Sequence, residues 1–331
     1  MSRIVACWLF CLAAGGCAHT AQITVWQPAA ADSRELGQVV VLPFTGEHGD
    51  VVSSSLTARL EKGSVYHVVD RTELPMVSLV SLGEKQPGQY EKQALAAARK
   101  AHVDGLIFGH VYLYQCDVLD VPNSEIAPPR RFGPERIFGD SPYQDRQSNW
   151  LIGTVGIEYR LIDTATGEER ASGKVVRDFR EQSKPLRELP SKETVLANLV
   201  EECLDDVEKH LTPHKQTAHV KLATCDWSLH GRPEVRQGCA AAEKGKWREA
   251  EAKWQEALTF DAQNHAALYN LGVAAANRLD YDAAEDYIMR AIRTKHCDCY
   301  ETGLSQIRRH REDYEKAQTQ RAKDSSSLTR S

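Results

Sequence analysis

The sequence predicts a mixed α+β or α/β domain followed by an all-α domain built from helical repeats. Over residues 23–223, short β-branched runs alternate with helix-forming segments, which is typical of helices packed on a sheet. Over residues 231–322, the pattern changes to helix-forming segments whose spacing repeats every 34 residues. Hydrophobic residues make up 42% of the chain and charged residues 26%, as in globular proteins.

The first residues have the pattern of a secretory leader. Residues 1–3 form a short basic start, and residues 4–14 form an apolar run. That run is shorter than the roughly 20 apolar residues that a membrane-spanning helix needs. Gly15 and Gly16 then place small residues directly before Cys17. A basic start, a short apolar run and a small-residue exit together predict a cleaved signal peptide.

This leader resembles the signal of a bacterial lipoprotein, in which the cysteine is acylated and the chain is cut just before it. The resemblance implies a signal peptide over residues 1–16, lipidation of Cys17 with acyl chains such as palmitate, and a lipid-anchored linker over residues 17–22. The family usually has Leu where this chain has Ala14. The alternative is ordinary secretion with cleavage after Ala18.

Residues 23–223 contain strand and helix signals in alternation. The β-branched run at 39–42 ends at Pro43 and indicates a buried strand. Residues 151–162 alternate between apolar and polar side chains, which predicts a half-exposed antiparallel strand. Gly167 closes a predicted turn after it, because glycine adopts positive φ readily. The predicted strands are 39–44, 65–69, 105–111, 151–162, 171–179 and 218–222, and the predicted helices are 53–60, 73–82, 91–101 and 194–211.

Four motifs in this segment, at 40–44, 68–74, 101–109 and 161–168, read Val-Val-Leu-Pro-Phe, Val-Val-Asp-Arg-Thr-Glu-Leu, Ala-His-Val-Asp-Gly-Leu-Ile-Phe-Gly and Leu-Ile-Asp-Thr-Ala-Thr-Gly-Glu. Together they resemble the periplasmic domain of the CsgG family of curli-secretion proteins. The same fold occurs in LpoB-type activators of peptidoglycan synthases and in the N-terminal domain of TolB. The resemblance implies a three-layer α/β domain over residues 23–223.

CsgG channels add two membrane hairpins per subunit, and this chain has a segment at each corresponding position. Residues 116–149 hold five prolines and four arginines, and residues 177–190 are charged on both would-be faces. Prolines remove ladder donors, and charges have no partner in lipid. We therefore predict a Pro/Arg-rich surface loop at 116–149 instead of a membrane hairpin. A CsgG-like outer-membrane secretion channel remains an alternative function.

The C-terminal repeat is carried by small and aromatic residues at matching positions. The first set is Gly238, Gly245, Trp247, Ala250 and Ala257, and its counterparts 34 residues later are Gly272, Leu279, Tyr281, Ala284 and Ala291. With Leu271, this pattern resembles the tetratricopeptide repeat, although Ala262 and His296 replace the family's proline and Leu279 replaces a glycine. We predict two repeats with a capping helix over 231–322 and a disordered tail at 323–331.

Six cysteines follow Cys17, and their pairing is left open. In an oxidising compartment an even number permits disulfides, with fifteen possible connectivities. The cluster at 296–299, His-Cys-Asp-Cys, predicts a disulfide to Cys225 or Cys239, or buried thiols. A zinc site would need four suitably spaced ligands, so no metal and no cofactor is assigned. The six are Cys116, Cys203, Cys225, Cys239, Cys297 and Cys299.

The sequence contains no Gly-rich phosphate loop, no His-Glu-x-x-His helix and no Gly-x-Ser-x-Gly elbow. A net charge of −5 offers no basic excess for nucleic acid. We therefore expect a non-catalytic lipoprotein of the cell envelope, anchored to the outer membrane by lipid alone and facing the periplasm.

Its partners would be envelope proteins or peptide segments held by the repeats, with the α/β domain as a docking or homo-oligomerising module. The family resemblance implies work in cell-wall synthase regulation or in secretion and surface-structure assembly. Besides the channel, the second alternative is an unrecognised periplasmic enzyme.

Replacing Cys17 tests the lipoprotein interpretation directly. A Cys17→Ala variant lacks the thiol that accepts the lipid, so we expect it in the soluble periplasmic fraction while the parent protein sediments with membranes. Immunoblotting of separated fractions measures this. A variant that still sediments with membranes would show that the interpretation is wrong.

Overall fold

The computed structural model describes residues 19–30, 36–63, 65–74, 87–121, 148–182, 189–224 and 231–322. The predicted signal peptide, Cys17 and the predicted tail at 323–331 lie outside these residues. So do Cys225 and residues 75–82 of the helix predicted at 73–82; the start of that prediction overlaps the end of a 3-10 turn at Arg71–Glu73.

The chain forms two compact units. One comprises residues 1–28 and 213–319 and is called the helical unit below; the other comprises residues 29–212 and 320–331 and is called the sheet unit.

Eight strands and eight α-helices are formed by the described residues. The strands are β1 (His19–Gln27), β2 (Gln38–Val41), β3 (Thr45–Gly46), β4 (His67–Val68), β5 (Gly105–Val121), β6 (Ser148–Asp163), β7 (Glu169–Gln182) and β8 (His214–Leu222). The helices are α1 (Gly49–Gly63), α2 (Pro87–Lys100), α3 (Lys192–Leu211), α4 (Arg232–Glu243), α5 (Trp247–Phe260), α6 (His265–Asn277), α7 (Tyr281–Thr294) and α8 (Asp298–Ala322).

The sheet unit is built on a mixed six-stranded sheet. The strand order is β4-β2-β5-β6-β7, and β3 pairs with β5 beside this path. Strand β2 runs parallel to β4 and to β5, whereas β6 runs antiparallel to its two neighbours, β5 and β7. The sheet is therefore parallel at one side and a long antiparallel meander at the other.

Helices cover both faces of this sheet and give three layers. On one face, Leu56 of α1 and Leu204 of α3 are fully buried in a cluster with Val155 and Ile157 of β6. On the other face, alanines of α2 such as Ala94 pack in a second cluster with residues of β2, β5 and β6. The small alanine side chains let α2 lie close to the sheet. The mixed α/β class expected from the sequence is present.

The antiparallel strands are longer than the sequence predicted. The loop predicted at 116–149 is wrong at both ends, because 116–121 belong to β5 and 148–149 to β6; residues 122–147 lie outside the described part of the chain. Strand β5 contains no proline and ends directly before Pro122, so each of its residues has a backbone N–H available for the ladder with β6.

The helical unit contains a two-stranded antiparallel ribbon. Strand β1 pairs with β8 along its whole length, from His19 opposite Leu222 to Gln27 opposite His214. Alternate ribbon residues, including Ile23 and Val25, are buried in one cluster with helices α4 to α8. The ribbon contacts α4 and α6, which are the first helices of two successive helical hairpins.

Two expectations about the ends of the α/β segment are therefore corrected. Residues 218–222 were predicted as a strand of the α/β domain, but they pair with β1 in the helical unit. Residues 19–22, expected as linker, form the first half of β1. The physical reason is period-two burial on both strands, which gives them an apolar face that only a partner surface can cover.

A buried asparagine joins the end of the ribbon to α6. The side chain of Asn270 is fully buried; its Oδ1 accepts the backbone N–H of Ala223 at 2.8 Å and its Nδ2 donates to the carbonyl of Ala223 at 2.8 Å. The same amide donates to Sγ of Cys239 at 3.4 Å. The residue just after β8 leaves the strand ladder, and Asn270 satisfies both of its backbone groups.

The β6–β7 turn is held by a buried carboxylate. Asp163 accepts hydrogen bonds from the Arg170 guanidinium at 2.6 and 3.1 Å and from the backbone N–H groups of Ala165 and Thr166. Burial raises the pKa of the Asp163 carboxyl, but these hydrogen bonds outweigh burial and hold it below its usual range. Next to it, Thr164 donates to the carbonyl of Val103, so two of the sequence motifs meet at one corner.

Removing the Asn270 side chain is expected to destabilise the helical unit strongly. Asn270→Ala leaves the buried backbone N–H of Ala223 without a partner and its carbonyl with only the Cys239 thiol as donor, which costs about 2 kcal/mol of unfolding free energy. Asn277→Ala, on the same helix, removes only an exposed acceptor for Thr24 and is expected to cost less than about 1 kcal/mol. Chemical denaturation of both variants measures the difference; equal losses would contradict the role given to Asn270.

The Asp163–Arg170 pair makes stability depend on pH. Asp163→Asn leaves Arg170 without its carboxylate, and we expect a loss of about 3 kcal/mol at pH 7. Because the folded pKa of Asp163 is lowered, its contribution is present above the unfolded pKa of about 3.9 and is lost as pH falls through the folded value. The gap between parent and variant therefore narrows below about pH 4.

The control for this pair is Glu256→Gln, which breaks the exposed pair with Lys253 and should change the free energy of unfolding little at any pH in this range. Urea unfolding from pH 3 to pH 7 compares the three proteins. A gap between parent and Asp163→Asn that does not change with pH would contradict the prediction.

Candidate functional site

The residues of the predicted repeat lie at the contacts between paired helices. A Cβ atom on Gly238 would lie 2.4 Å from Nε1 of Trp254, so only glycine lets α4 approach the indole of α5 this closely. The same indole N–H donates to the carbonyl of Val235 at 3.2 Å. In the second hairpin, Gly272 faces Ile288 in the corresponding way.

The remaining signature residues are mostly core. Trp247 is partly buried and its ring lies 6.4 Å from that of Trp254. Gly245 and Leu279 occupy equivalent turns with φ of +72° and +65°, so the leucine adopts the left-handed conformation that the glycine has. The fully or nearly buried members are Ala250, Ala257, Leu271, Gly272, Tyr281, Ala284 and Ala291.

One face of the helical hairpins is already occupied by the protein's own chain. The ribbon packs on α4 and α6, the first helix of each hairpin. Its contacts include Thr24 N–H to Asn277 Oδ1 at 3.2 Å and His19 Nδ1 to Glu243 Oε1 at 2.7 Å. A peptide segment could use this face only if β1 and β8 left it.

The cysteines pair differently from the expectation. Cys297 and Cys299 form a disulfide with each other, and neither joins Cys239, whose thiol donates to the carbonyl of Ala223. The cysteines of the sheet unit, Cys116 and Cys203, are buried thiols, and burial raises the pKa of Cys203 to about 11.

The side chains of His296, Asp298 and Glu301 converge near this disulfide. Their ligand atoms lie within 4.8 Å of one another, and all three residues are exposed. Asp298 and Glu301 lie in the first turn of α8, where the helix dipole favours carboxylates. Their position at the helix start accounts for the cluster without a metal ion.

The sheet unit has a cleft on the face covered by α2. Its volume is about 590 Å³, and it lies between β3, β5, β6 and the first turns of α2. The lining residues are Pro43, Thr45, Gly46, Tyr90, Glu91, Phe108, Gly109, His110, Glu158, Tyr159 and Arg160.

One wall of the cleft combines aromatic rings with a cation. The Arg160 guanidinium lies 5.7 Å from the centre of the Phe108 ring and donates to Oε2 of Glu91 at 2.8 Å. Tyr90 meets Phe108 edge-on at 6.0 Å between ring centres, and burial raises the pKa of the Tyr90 phenol. These contacts give the wall a preorganised apolar surface beside a fixed charge pair.

The part of the lining next to this wall along β5 and β6 is polar. His110 is exposed, and its Nδ1 lies 2.9 Å from the Thr45 hydroxyl. Glu158 is paired with Lys174 at 3.1 Å, so both carboxylates of the cleft have a cationic partner. The arrangement suits contacts with a segment that carries apolar groups and charges of both signs.

Sequence reasoning did not find this cleft. The alternation of β6 placed Glu158 and Arg160 together on the polar side of the strand, which was the only available signal. The partner of Glu158 lies on the next strand, β7, whereas the partner of Arg160 comes from α2, 69 residues earlier in the chain.

No protein-family model and no curated protein matches this chain. Structures similar to it include bacterial lipoproteins. Lipoprotein GNA1162 from Neisseria meningitidis is 18% identical, with a TM-score of 0.27, over 52% of this chain and 97% of its own. The LpoB C-terminal domain from Salmonella enterica is 14% identical, with a TM-score of 0.25, over 44% of this chain and 87% of its own.

A PelC dodecamer from Paraburkholderia phytofirmans is 13% identical, with a TM-score of 0.27, over 58% of this chain and 96% of its own. Because these scores and identities are low, none of the three likenesses carries an argument about this chain. Among the described residues, no helix combines the length and apolar character needed to cross a membrane.

Proposed function

We propose that this protein is a non-catalytic, lipid-anchored component of the bacterial cell envelope that binds other envelope proteins. The leader ending at Cys17 supports the location. The four motifs that resemble CsgG and LpoB-type proteins support a role in cell-wall synthase regulation or in secretion and surface-structure assembly. The helical hairpins are proposed to be two tetratricopeptide repeats closed by α8.

The cleft of the sheet unit is the observation that carries the binding role. Its aromatic wall of Tyr90 and Phe108 offers the apolar anchor that protein interfaces concentrate near their centre. The charge pairs around it can form the polar rim, because Arg160 and Glu158 are only partly buried. A side chain of a partner entering the cleft would displace water from the rings without breaking either pair.

The helical unit contributes to the proposed role mainly as a rigid body. Because the ribbon covers α4 and α6, we propose that partners contact the outer surfaces of the hairpins rather than the ribbon-covered face. The exposed ring of Phe260, at the end of α5, is 58% accessible and marks one such surface.

Site-specific photocrosslinking in living cells tests the cleft. A photoreactive residue at position 110 lies at the mouth of the cleft, and we expect it to capture one predominant envelope protein. The matched control is position 61, which is exposed on α1 and lies on the other face of the sheet. Gel mobility and mass spectrometry identify the adducts.

The yield of the adduct at position 110 should fall at least about tenfold in an Arg160→Ala background, since the cation over Phe108 is lost. The yield should be unchanged in an Arg180→Ala background, which removes an exposed arginine of β7. The same adducts at positions 110 and 61, or adducts insensitive to Arg160→Ala, would contradict the proposal.

A further inference from the structure

The Cys297–Cys299 disulfide lies at the start of the longest described helix. Cys297 directly precedes α8, and its carbonyl accepts the backbone N–H of Tyr300 at 2.9 Å and of Glu301 at 3.3 Å. Both cysteines are only partly buried, so the bridge lies at the edge of the core of the helical unit. A second thiol can therefore approach it.

This bridge is a poor structural staple. The stabilisation that a disulfide gives by restricting the unfolded chain grows with the logarithm of the loop it closes, and the sequence separation here is 2. The helix start is already held by the hydrogen bonds of the Cys297 carbonyl. Removing the bridge would therefore leave α8 in place, and a structural role does not account for it.

We propose that the Cys297–Cys299 pair is a redox site that exchanges with the dithiol of another protein. The partner's thiolate attacks Sγ of Cys299, the bond between the two cysteines breaks, and its electron pair leaves on Cys297. The partner's second thiolate then attacks its own sulfur in the mixed disulfide and releases Cys299. Two electrons pass to this protein, the partner becomes a disulfide, and the two partner protons end on the two cysteines.

The position of Cys297 favours it as the leaving group. A thiolate directly before a helix of 25 residues is stabilised by the positive end of the helix dipole and by the N–H groups of the first turn. The carboxylates of Asp298 and Glu301 oppose this charge, and the imidazole of His296 lies 3.4 Å from Glu301. The site goes beyond the proposed binding role and does not depend on the cleft.

Exchange kinetics with reduced glutathione test this inference on the full chain from residue 18 onward. The control is a peptide of residues 293–303 oxidised to the same bridge, which has the same two cysteines but no helix. We expect the disulfide of the folded protein to react with glutathione at least about tenfold faster than that of the peptide. Alkylation of the released thiols and peptide mass analysis measure both rates. Equal or slower reaction of the folded protein would overturn the proposal.

Two variants separate redox chemistry from a structural role. Cys297→Ser leaves Cys299 as a free thiol; its thiolate should attack oxidised glutathione, release one reduced glutathione and retain the other as a mixed disulfide. The double variant Cys297→Ser and Cys299→Ser should keep the parent's thermal midpoint to within about 2 °C, because the bridge is a weak staple. A large fall of that midpoint, or a Cys299 that accepts no glutathione, would contradict the inference.

Discussion

The pairing of β1 with β8 is the interaction on which the helical unit depends. A two-stranded ribbon is marginal in water, and two helical hairpins bury little surface by themselves. Here the apolar face of the ribbon, with Ile23 and Val25, covers the first helices of both hairpins. Asn270 then satisfies the backbone where the ribbon ends. Each half supplies the surface that the other lacks, so we expect them to fold together.

The polar residues of the sheet unit fall into two groups with different consequences. At the β6–β7 corner, Asp163 is nearly buried and satisfied by Arg170 and by backbone donors, so its work is to hold the turn. In the cleft, Arg160 and Glu158 are half-exposed and their pairs face solvent. A buried carboxylate whose acceptor sites are all used in hydrogen bonds cannot bind a ligand. A half-exposed ion pair beside an aromatic wall can still form contacts with one.

The sequence patterns found the elements whose signals are local. The period-two alternation of β6 and the helix predicted at 194–211 were placed within a few residues, because each pattern is contained in one segment. The linker at 19–22 was wrong because the partner of β1 lies almost 200 residues later in the chain. The cleft was missed because its lining comes from four separate segments of the chain, β3, α2, β5 and β6, which no single local pattern relates.

Strand β1 begins at His19, only two residues after the cysteine expected to carry lipid. Two extended residues span at most about 7 Å, which is comparable with the depth of a lipid headgroup layer. An acylated Cys17 would therefore hold the start of β1 close to the membrane. The start of the ribbon would then lie at the bilayer surface, and partners of the helical unit would meet it there. Proteins that bind the helical unit would therefore have to bind it at the membrane surface.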